Sequence, residues 1–325
     1  MKRFFLLSLF TVCSVSLSAV AAPPKSDGVF TDPKKAGPDY AAQGEYLGED
    51  VDGMRWGAQV IALGDGKFTA IGYQGGLPGD GWSRGGDQMT FDGKQVDGTT
   101  AFEGAEFVIK IKNGVMTVSD FGGSVVATLK SVSRKSPTLG LKPPKNAVVL
   151  FDGSSAEHFE NGKIQMENLL AANCWSKKKF GDHNLHIEFR TPFKPKARGQ
   201  ARGNSGVYIQ SRYELQVLDS FGLSGENNEC GGIYKIAGPA VNMCFPPLTW
   251  QTYDIEFKAA RYDADGKKTA NARATIKHNG VVIHKDQELP NGTPGRHPEG
   301  ANPEAVYLQG HGNPVFYRNI WVVVK

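Results

Sequence analysis

A set of polar side chains recurs at alternate positions of one short stretch, and its chemistry suits a sugar. The set comprises Tyr208, Gln210, Glu214 and Gln216, with Val, Ile and Leu residues alternating between them. Because side chains alternate between the two faces of a strand, the stretch predicts a hairpin with one apolar and one polar face. A carboxylate, two amides and a phenol could pair the hydroxyl groups of a carbohydrate. A merely solvated sheet face is the alternative.

The same pattern predicts the register of this hairpin. A three-residue loop over 211–213 would pair Gln210 with Glu214 and Tyr208 with Gln216, which keeps the polar set on one side. A two-residue loop would mix the two sets. We therefore expect the three-residue loop.

Other candidate groups lie on neighbouring predicted strands. His186 and Glu188 alternate with apolar residues, and His311 shares the alternation of Gln309. The near-neutral pKa of a histidine suits proton transfer or metal ligation. A divalent metal held by His186, Glu188 and His311 is an alternative that nothing in their spacing requires, and no other cofactor is indicated.

The chain begins with the features of a secretory signal peptide, residues 1–22. Lys2 and Arg3 precede an apolar run, and Ala19-Val20-Ala21 forms a small-residue cleavage site. A membrane anchor is the alternative, but no other apolar run is long enough to span a bilayer. We expect an exported protein, periplasmic or extracellular, with no membrane insertion.

Charge and motifs exclude several functional classes. Loss of Lys2 and Arg3 would lower the formal net charge from +4 to +2, which does not favour a nucleic-acid partner. The H-E-x-x-H and Walker patterns are absent from the sequence, which argues against zinc proteases and nucleotidases.

Three cysteines remain after the predicted signal peptide. Cys230 and Cys244 flank a glycine-rich segment and are the predicted disulfide, because exported proteins can keep such bonds. Cys174 would then be free and buried. No C-x-x-C pattern supports a cysteine zinc site.

Short alternating runs bounded by Gly, Pro, Asn and Asp predict an all-β protein. We expect a flexible leader over 23–39 and a small antiparallel, glycine-rich β domain of unassigned role over 40–135. A proline-rich linker over 136–146 would join it to a second β domain, 147–325. Asn-Gly pairs within both domains predict tight hairpins.

The second domain carries an ordered series of motifs. In sequence they are LFDG, EFR, GNSGVYIQSRYELQVLD, GGIY, HNG, YLQGHG and VFYRNIWV. This series, covering about residues 145–325, resembles the 3-keto-disaccharide hydrolase domain family. The resemblance implies a concanavalin A-like (laminin G-like) jelly-roll sandwich and cleavage of 3-keto-glycosides.

The implied chemistry needs three groups. A ketone at C3 acidifies the C2 proton, so a base can remove it while the C1 substituent leaves, and water then adds back. An acid must serve the leaving oxygen and a donor the enolate, whereas ordinary glycosidases use two carboxylates around an oxocarbenium-like transition state. The expected proton-transfer residues are Glu188, Glu214 and His311.

The expected substrate-binding residues are polar or aromatic neighbours of these groups. They are Tyr208, Gln210, Gln216, Tyr234, Gln309 and Arg318. We expect all of these side chains to converge on one sheet face, although Arg318 could instead pair with a carboxylate and Tyr234 could pack in the core. The partner would be a carbohydrate. A non-catalytic carbohydrate-binding module is the main alternative, and a structural cell-surface protein is a weaker one.

Overall fold

The computed structural model describes residues 28–104 and 106–325. Strands make up 49% and helices 4%, which confirms the all-β prediction. The predicted signal peptide, 1–22, lies outside the described residues. Within the described residues, no helix is both long enough and apolar enough to cross a bilayer.

The first domain contains an eight-stranded antiparallel barrel. Its strands, with two short strands after β3, are β1 (Gly44–Asp50), β2 (Arg55–Gly64), β3 (Lys67–Gln74), β4 (Leu77–Pro78), β5 (Gly81–Trp82), β6 (Gln88–Val96), β7 (Thr99–Glu103), β8 (Phe107–Lys112), β9 (Val115–Asp120) and β10 (Val125–Val132). Around the barrel the order is β1-β10-β9-β8-β7-β6-β3-β2, and β2 pairs back onto β1. Closure leaves the barrel without a free edge.

The second domain is a two-sheet sandwich. Its strands are β11 (Val148–Phe151), β12 (Phe159–Glu160), β13 (Ile164–Gln165), β14 (Leu169–Ala171), β15 (Cys174–Phe180), β16 (His183–Arg190), β17 (Ser205–Ile209), β18 (Tyr213–Val217), β19 (Gln251–Lys258), β20 (Arg261–Tyr262), β21 (Lys268–Ala270), β22 (Ala272–His278), β23 (Val281–Leu289), β24 (Glu304–Leu308) and β25 (Phe316–Val324). The larger sheet has the order β13-β14-β25-β16-β19-β22-β23, with β11 also paired to β25. The smaller sheet has the order β12-β15-β24-β17-β18, and β20 and β21 form a separate hairpin.

One apolar core lies between the two sheets. Leu185 and Ile187 enter it from the larger sheet, and Val207 and Leu215 enter it from the smaller sheet. Because successive side chains of a strand point to opposite faces, the residues between them project outward. The outward faces of the two sheets therefore lie on opposite sides of the sandwich, and this decides which candidate residues can meet.

The predicted Asn-Gly hairpins are confirmed in both domains. Asn113 and Gly114 have φ values of 51° and 75°, and Asn279 and Gly280 have values of 50° and 84°. Two consecutive left-handed residues form the type I′ turn that suits a two-residue hairpin loop.

The leader predicted to be flexible is ordered from residue 28 onward. Phe30 exchanges two backbone hydrogen bonds of 2.9 Å with Phe193 of the sandwich. A 3₁₀ turn (Pro33–Lys35) and a short helix α1 (Gly37–Ala42) follow. The prediction of a flexible leader rested on its Pro- and Lys-rich composition, which does not show that Phe30 packs beside the second domain.

The basic segment before β17, which also contains a 3₁₀ turn (Gly199–Ala201), contacts the barrel. Lys196 pairs with Asp65 at 2.6 Å. The Arg202 guanidinium donates to the carbonyl of Ala62 at 3.1 Å. These contacts fasten a loop of the sandwich to the barrel.

Candidate functional site

The hairpin of β17 and β18 forms as expected, but its register differs from the prediction. Tyr208, not Gln210, pairs with Glu214. Gln210 and Ser211 have φ values of 53° and 52°, so the tight turn begins one residue earlier than expected. Because the register moves by two residues, each side chain keeps its face. The predicted apolar and polar faces therefore survive the error.

An aromatic row crosses the outer face of the smaller sheet. Trp175 pairs with Tyr307, Tyr307 with Tyr208, and Tyr208 with Glu214. Ring centroids lie 6.5 Å apart for Trp175 and Tyr307 and 5.3 Å apart for Tyr307 and Tyr208. Directly opposite residues on neighbouring strands share a face. The aromatic row (Trp175, Tyr307 and Tyr208) thus ends at a carboxylate.

Glu214 is a buried acid with an altered pKa. Burial raises its pKa to about 7, although a hydrogen bond from Tyr208 acts in the opposite direction. A carboxyl with this pKa can accept and return a proton near neutral pH.

A glycine lies beneath the carboxylate of Glu214. A Cβ built on Gly206 would lie 2.7 Å from Glu214 Oε1 and 3.1 Å from a ring carbon of Tyr208. No side chain fits there without displacing the acid. Gly206 therefore leaves the space that the carboxylate occupies.

The Tyr208 hydroxyl connects three groups. It lies 2.8 Å from Glu214 Oε2 and 3.0 Å from the carbonyl of Pro294, and Gln309 Nε2 donates to it at 3.2 Å. Burial, then the charge of Glu214, raises the pKa of the phenol, so it stays protonated. With one proton to give, it can serve Glu214 or Pro294. When it donates to Pro294, a protonated Glu214 can donate to the phenol oxygen.

Two predicted binding residues lie beside this acid. Gln216 Nε2 donates to Asn204 Oδ1 at 3.0 Å on the same polar face. The half-buried Tyr234 follows along the edge of the sheet, and its backbone N–H donates to the Glu214 carbonyl at 3.1 Å.

The loop between β23 and β24, residues 290–303, covers the row, and we call it the capping loop. Thr293 Oγ1 accepts from the Glu214 backbone N–H at 2.8 Å. The Arg296 guanidinium lies 3.5 Å from the Trp175 ring centroid and 5.2 Å from that of Tyr307. Such a cation over two rings occupies the surface on which a sugar ring could stack.

Glu188 does not join Glu214, and the prediction that both line one face is wrong. Glu188 lies on β16 of the larger sheet and pairs with Arg318 of β25 across that sheet's outer face. Alternation along single strands identifies inner and outer residues, but it does not say which sheet a strand joins. The two carboxylates therefore project from opposite sides of the sandwich.

Hydrogen bonds saturate the Glu188 carboxylate. Its partners include Arg318 Nε at 2.6 Å, Asn319 Nδ2 at 2.9 Å and the backbone N–H of Gly140 in the linker. Burial by itself would raise its pKa, but His186 and these donors outweigh burial and lower it to about 2. Glu188 is thus a fixed anion that holds the linker.

His186 belongs to the same network. Its Nδ1 lies 2.6 Å from Asp254 Oδ1, and its ring stacks on Trp321 with centroids 5.0 Å apart. Burial opposes protonation, but Asp254 and Glu188 outweigh burial and raise its pKa. Asp254 also accepts from the Thr138 hydroxyl of the linker at 2.6 Å.

Two further predicted site residues, Gln210 and His311, do not join the polar face around Glu214. Gln210 turns back to the Phe180 carbonyl at 2.8 Å and supports the hairpin turn, not the polar row. His311 is exposed in the connection between β24 of the smaller sheet and β25 of the larger one. Among the described residues, no group of three or more His, Cys, Asp or Glu side chains is arranged to hold a metal.

The predicted Cys230–Cys244 disulfide is not formed. Cys174, Cys230 and Cys244 are all buried free thiols. The Cys230 thiol forms hydrogen-bond contacts with the Tyr253 hydroxyl, at 3.2 Å, and with the Cys244 thiol.

Cavities also lie elsewhere in the part of the chain that the structure describes, and two of them bear on the candidate groups. One of about 350 Å³ borders the linker and is lined by His186, Asp254 and Trp321. The side chains of His186 and Asp254 are already hydrogen-bonded to each other, and Asp254 also accepts from Thr138 of the linker. The other lies inside the barrel and is apolar except at its opening, where Asp50 and Asp52 lie. Neither contains a carboxyl poised for proton transfer as Glu214 is.

Sequence reasoning missed Trp175, Arg296 and the capping loop. Trp175 and Tyr307 could have been found as large aromatic residues at outward positions of alternating strands. Arg296 gave no signal, because its place above the rings depends on how a long loop folds back.

Comparisons with known proteins agree with this architecture. Residues 146–323 match the 3-keto-alpha-glucoside-1,2-lyase-like domain family. No curated protein matches the chain.

Solved structures resemble this chain, and three of them are candidate glycosyl hydrolases from Parabacteroides distasonis. One, at 2.13 Å resolution, has 29% identity and a TM-score of 0.51, covering 56% of this chain and 85% of that chain. Two others, at 1.70 and 2.00 Å, have 13% and 20% identity and TM-scores of 0.42 and 0.39. Both cover 55% of this chain, and 94% and 99% of their own chains. These two overlaps are too loose to bear on function.

Proposed function

The chain belongs, through residues 146–323, to the 3-keto-alpha-glucoside-1,2-lyase-like domain family, and from this premise we propose that it cleaves 3-keto-glycosides. The structural likeness at 29% identity to a candidate glycosyl hydrolase supports a glycoside-acting enzyme. The observation that carries the proposal is Glu214, a buried acid with a pKa of about 7 at the end of an aromatic row.

Glu214 would serve as the base. Its carboxylate takes the C2 proton, the electron pair of that bond forms the C1–C2 double bond, and the C1–oxygen bond breaks. The protonated carboxyl returns the proton to the departing oxygen, so an alcohol and an unsaturated keto sugar leave the reaction. Addition of water, with OH at C1 and H at C2, then gives net hydrolysis.

Neighbouring groups would orient the sugar and the proton. Tyr208 holds Glu214 Oε2, and Gln309 Nε2 offers a donor on the same face. The Gln309 Oε1 atom is buried and has no hydrogen-bond partner, so a sugar hydroxyl could satisfy it. Trp175 and Tyr307 would support the apolar face of the ring once Arg296 moves aside.

The decisive experiment uses heavy water. Incubation with a 3-keto-disaccharide should release both sugars, and the keto product should carry deuterium at C2, because elimination exchanges that position. Direct displacement at C1 would leave hydrogen at C2 and would refute the elimination route. The unoxidised disaccharide is the matched control and should stay intact.

The assignment to Glu214 has its own test. Glu214→Gln should lower sugar release about 10²–10⁴-fold, whereas Glu188→Gln, on the opposite face, should retain turnover per folded molecule. Glycan binding without turnover of any keto sugar would instead favour a carbohydrate-binding module. Export is part of the proposal, and a mature protein from cells that begins after residue 22 would support it.

A further inference from the structure

The barrel interior is divided into a packed end and an open end. Tyr46, Phe68 and Phe102 are buried and fill one end. Toward the other end a cavity of about 300 Å³ extends between the strands and reaches the turn after β1.

Small residues create this cavity. Ala58 pairs with Gly72 on the neighbouring strand, and Gly72 pairs in turn with Met89. Ala70 precedes Gly72 on the same inward face of β3. A Cβ built on Gly72 would have as its nearest neighbour the Met89 carbonyl oxygen, at 4.0 Å. Protein interiors otherwise pack densely, so the small residues Ala58, Ala70 and Gly72 account for the open space.

The remaining wall is apolar and partly aromatic. Phe91 of β6, Phe107 and Ile109 of β8, and Met116 of β9 all line it. No charged side chain lines this part. An eight-stranded barrel is just wide enough to hold either packed side chains or one small ligand.

Polar groups occur only where the cavity opens. Asp50 and Asp52 lie in the turn there, and the Trp56 indole N–H donates to Asp50 Oδ2 at 2.9 Å. This bond fixes the indole beside the opening. Two carboxylates at the opening would repel an anion and leave a neutral molecule unaffected.

We propose that the barrel is a binding site for an uncharged, largely apolar molecule of about two fused rings. An apolar cavity of about 150 Å³ suffices for benzene, so about 300 Å³ accommodates roughly twice that. The barrel would then add a second binding function that is independent of the sugar chemistry of the sandwich.

The test is a titration of the full chain with 1-aminonaphthalene, a neutral two-ring probe. Saturable, one-to-one quenching of tryptophan fluorescence is expected, with a rise in Tm that increases with probe concentration. The quenching should shrink in Trp56→Phe. The anionic analogue 1-naphthoate should bind at least tenfold more weakly. Absence of saturable binding, or equal affinity for both probes, would overturn the proposal.

A cavity-filling variant locates the site. Gly72→Leu should weaken probe binding at least tenfold while Tm stays the same or rises, because leucine fills space that is already open. Lys110→Leu adds the same side chain to the exposed outer surface of β8 and should bind the probe like the unmodified protein. If Gly72→Leu lowers Tm, Ala58→Leu replaces it as the deciding variant. If the folded cavity-filling variant binds the probe as tightly as the unmodified protein, the probe does not bind in the barrel cavity. All three leucine variants should cleave keto sugars like the unmodified protein. A failure of the barrel-binding proposal can therefore be told apart from a failure of the proposed function.

Discussion

Replacing Glu214 by glutamine should lower turnover by orders of magnitude and at the same time remove a pH-dependent loss of stability. Glutamine keeps the shape of the side chain and can accept the Tyr208 hydrogen bond, but it cannot ionise. A positioned acid–base group contributes about 10²–10⁴-fold to rate, so the loss of turnover should fall in that range.

The stability effect follows from the raised pKa of Glu214. Below about pH 4.5 the carboxyl is protonated in both the folded and the unfolded chain. As pH rises from there to about 7, the unfolded chain ionises while the folded chain keeps its proton. The free energy of unfolding therefore falls over this window and levels off above it. Each pKa unit is worth about 1.4 kcal/mol, so the loss is about 3 kcal/mol.

Urea unfolding of both proteins at several pH values between about 4 and 8 measures this directly. The difference between them isolates Glu214, because every other titrating group is common to both. As pH rises, the free energy of unfolding of the variant should increase relative to that of the unmodified protein. This relative increase should reach about 3 kcal/mol once the pH exceeds 7. A difference that stays flat across the window would refute the buried-acid assignment, and full activity of the variant would refute the catalytic one.

Three further variants test the surroundings of the site. Glu188→Gln should lower the free energy of unfolding by about 3–5 kcal/mol at neutral pH, because Arg318 loses its carboxylate partner. This difference should disappear as pH falls through about 2, where Glu188 itself becomes protonated. Equal stability of the variant and the unmodified protein in urea unfolding at pH 7 would contradict this prediction. Gly206→Ala should lower the free energy of unfolding by only about 1 kcal/mol. It should lower kcat/KM at least tenfold, because the added methyl group displaces the Glu214 carboxylate. Unchanged kinetics would show that the acid tolerates displacement. Trp175→Ala should raise KM about tenfold with a smaller effect on kcat, and a pure kcat defect in steady-state assays would count against a stacking role.

Local sequence patterns predicted the strands and their faces well. The alternation over 205–217 separated core from surface residues even though the register was misjudged, because a two-residue shift preserves the face. Asn-Gly pairs predicted their turns because few residues accept two successive left-handed conformations. Barrel closure was not predictable in this way, since the pairing of β1 with both β2 and β10 depends on distant segments.

The candidate site was predictable only in part. Glu214, Tyr208, Gln216 and Gln309 were identified because they share the polar face of adjoining strands. Glu188 was misplaced because an alternating strand looks the same whichever sheet it joins. Its role as an anchor for the linker depends on a contact with Gly140, about fifty positions away in the chain, which no local pattern records.

The docked linker has a consequence for how the protein can be divided. The matched family region starts at residue 146, but Gly140 and Thr138, upstream of that boundary, donate to the buried Glu188 and to the partly exposed Asp254, respectively. A chain cut at 146 would remove one hydrogen-bond donor from each of these two carboxylates, leaving Glu188 with Arg318 and Asp254 with His186. The portable unit for expression or domain grafting therefore begins near Ser136, whose hydroxyl lies 2.6 Å from that of Thr252, rather than at the family boundary.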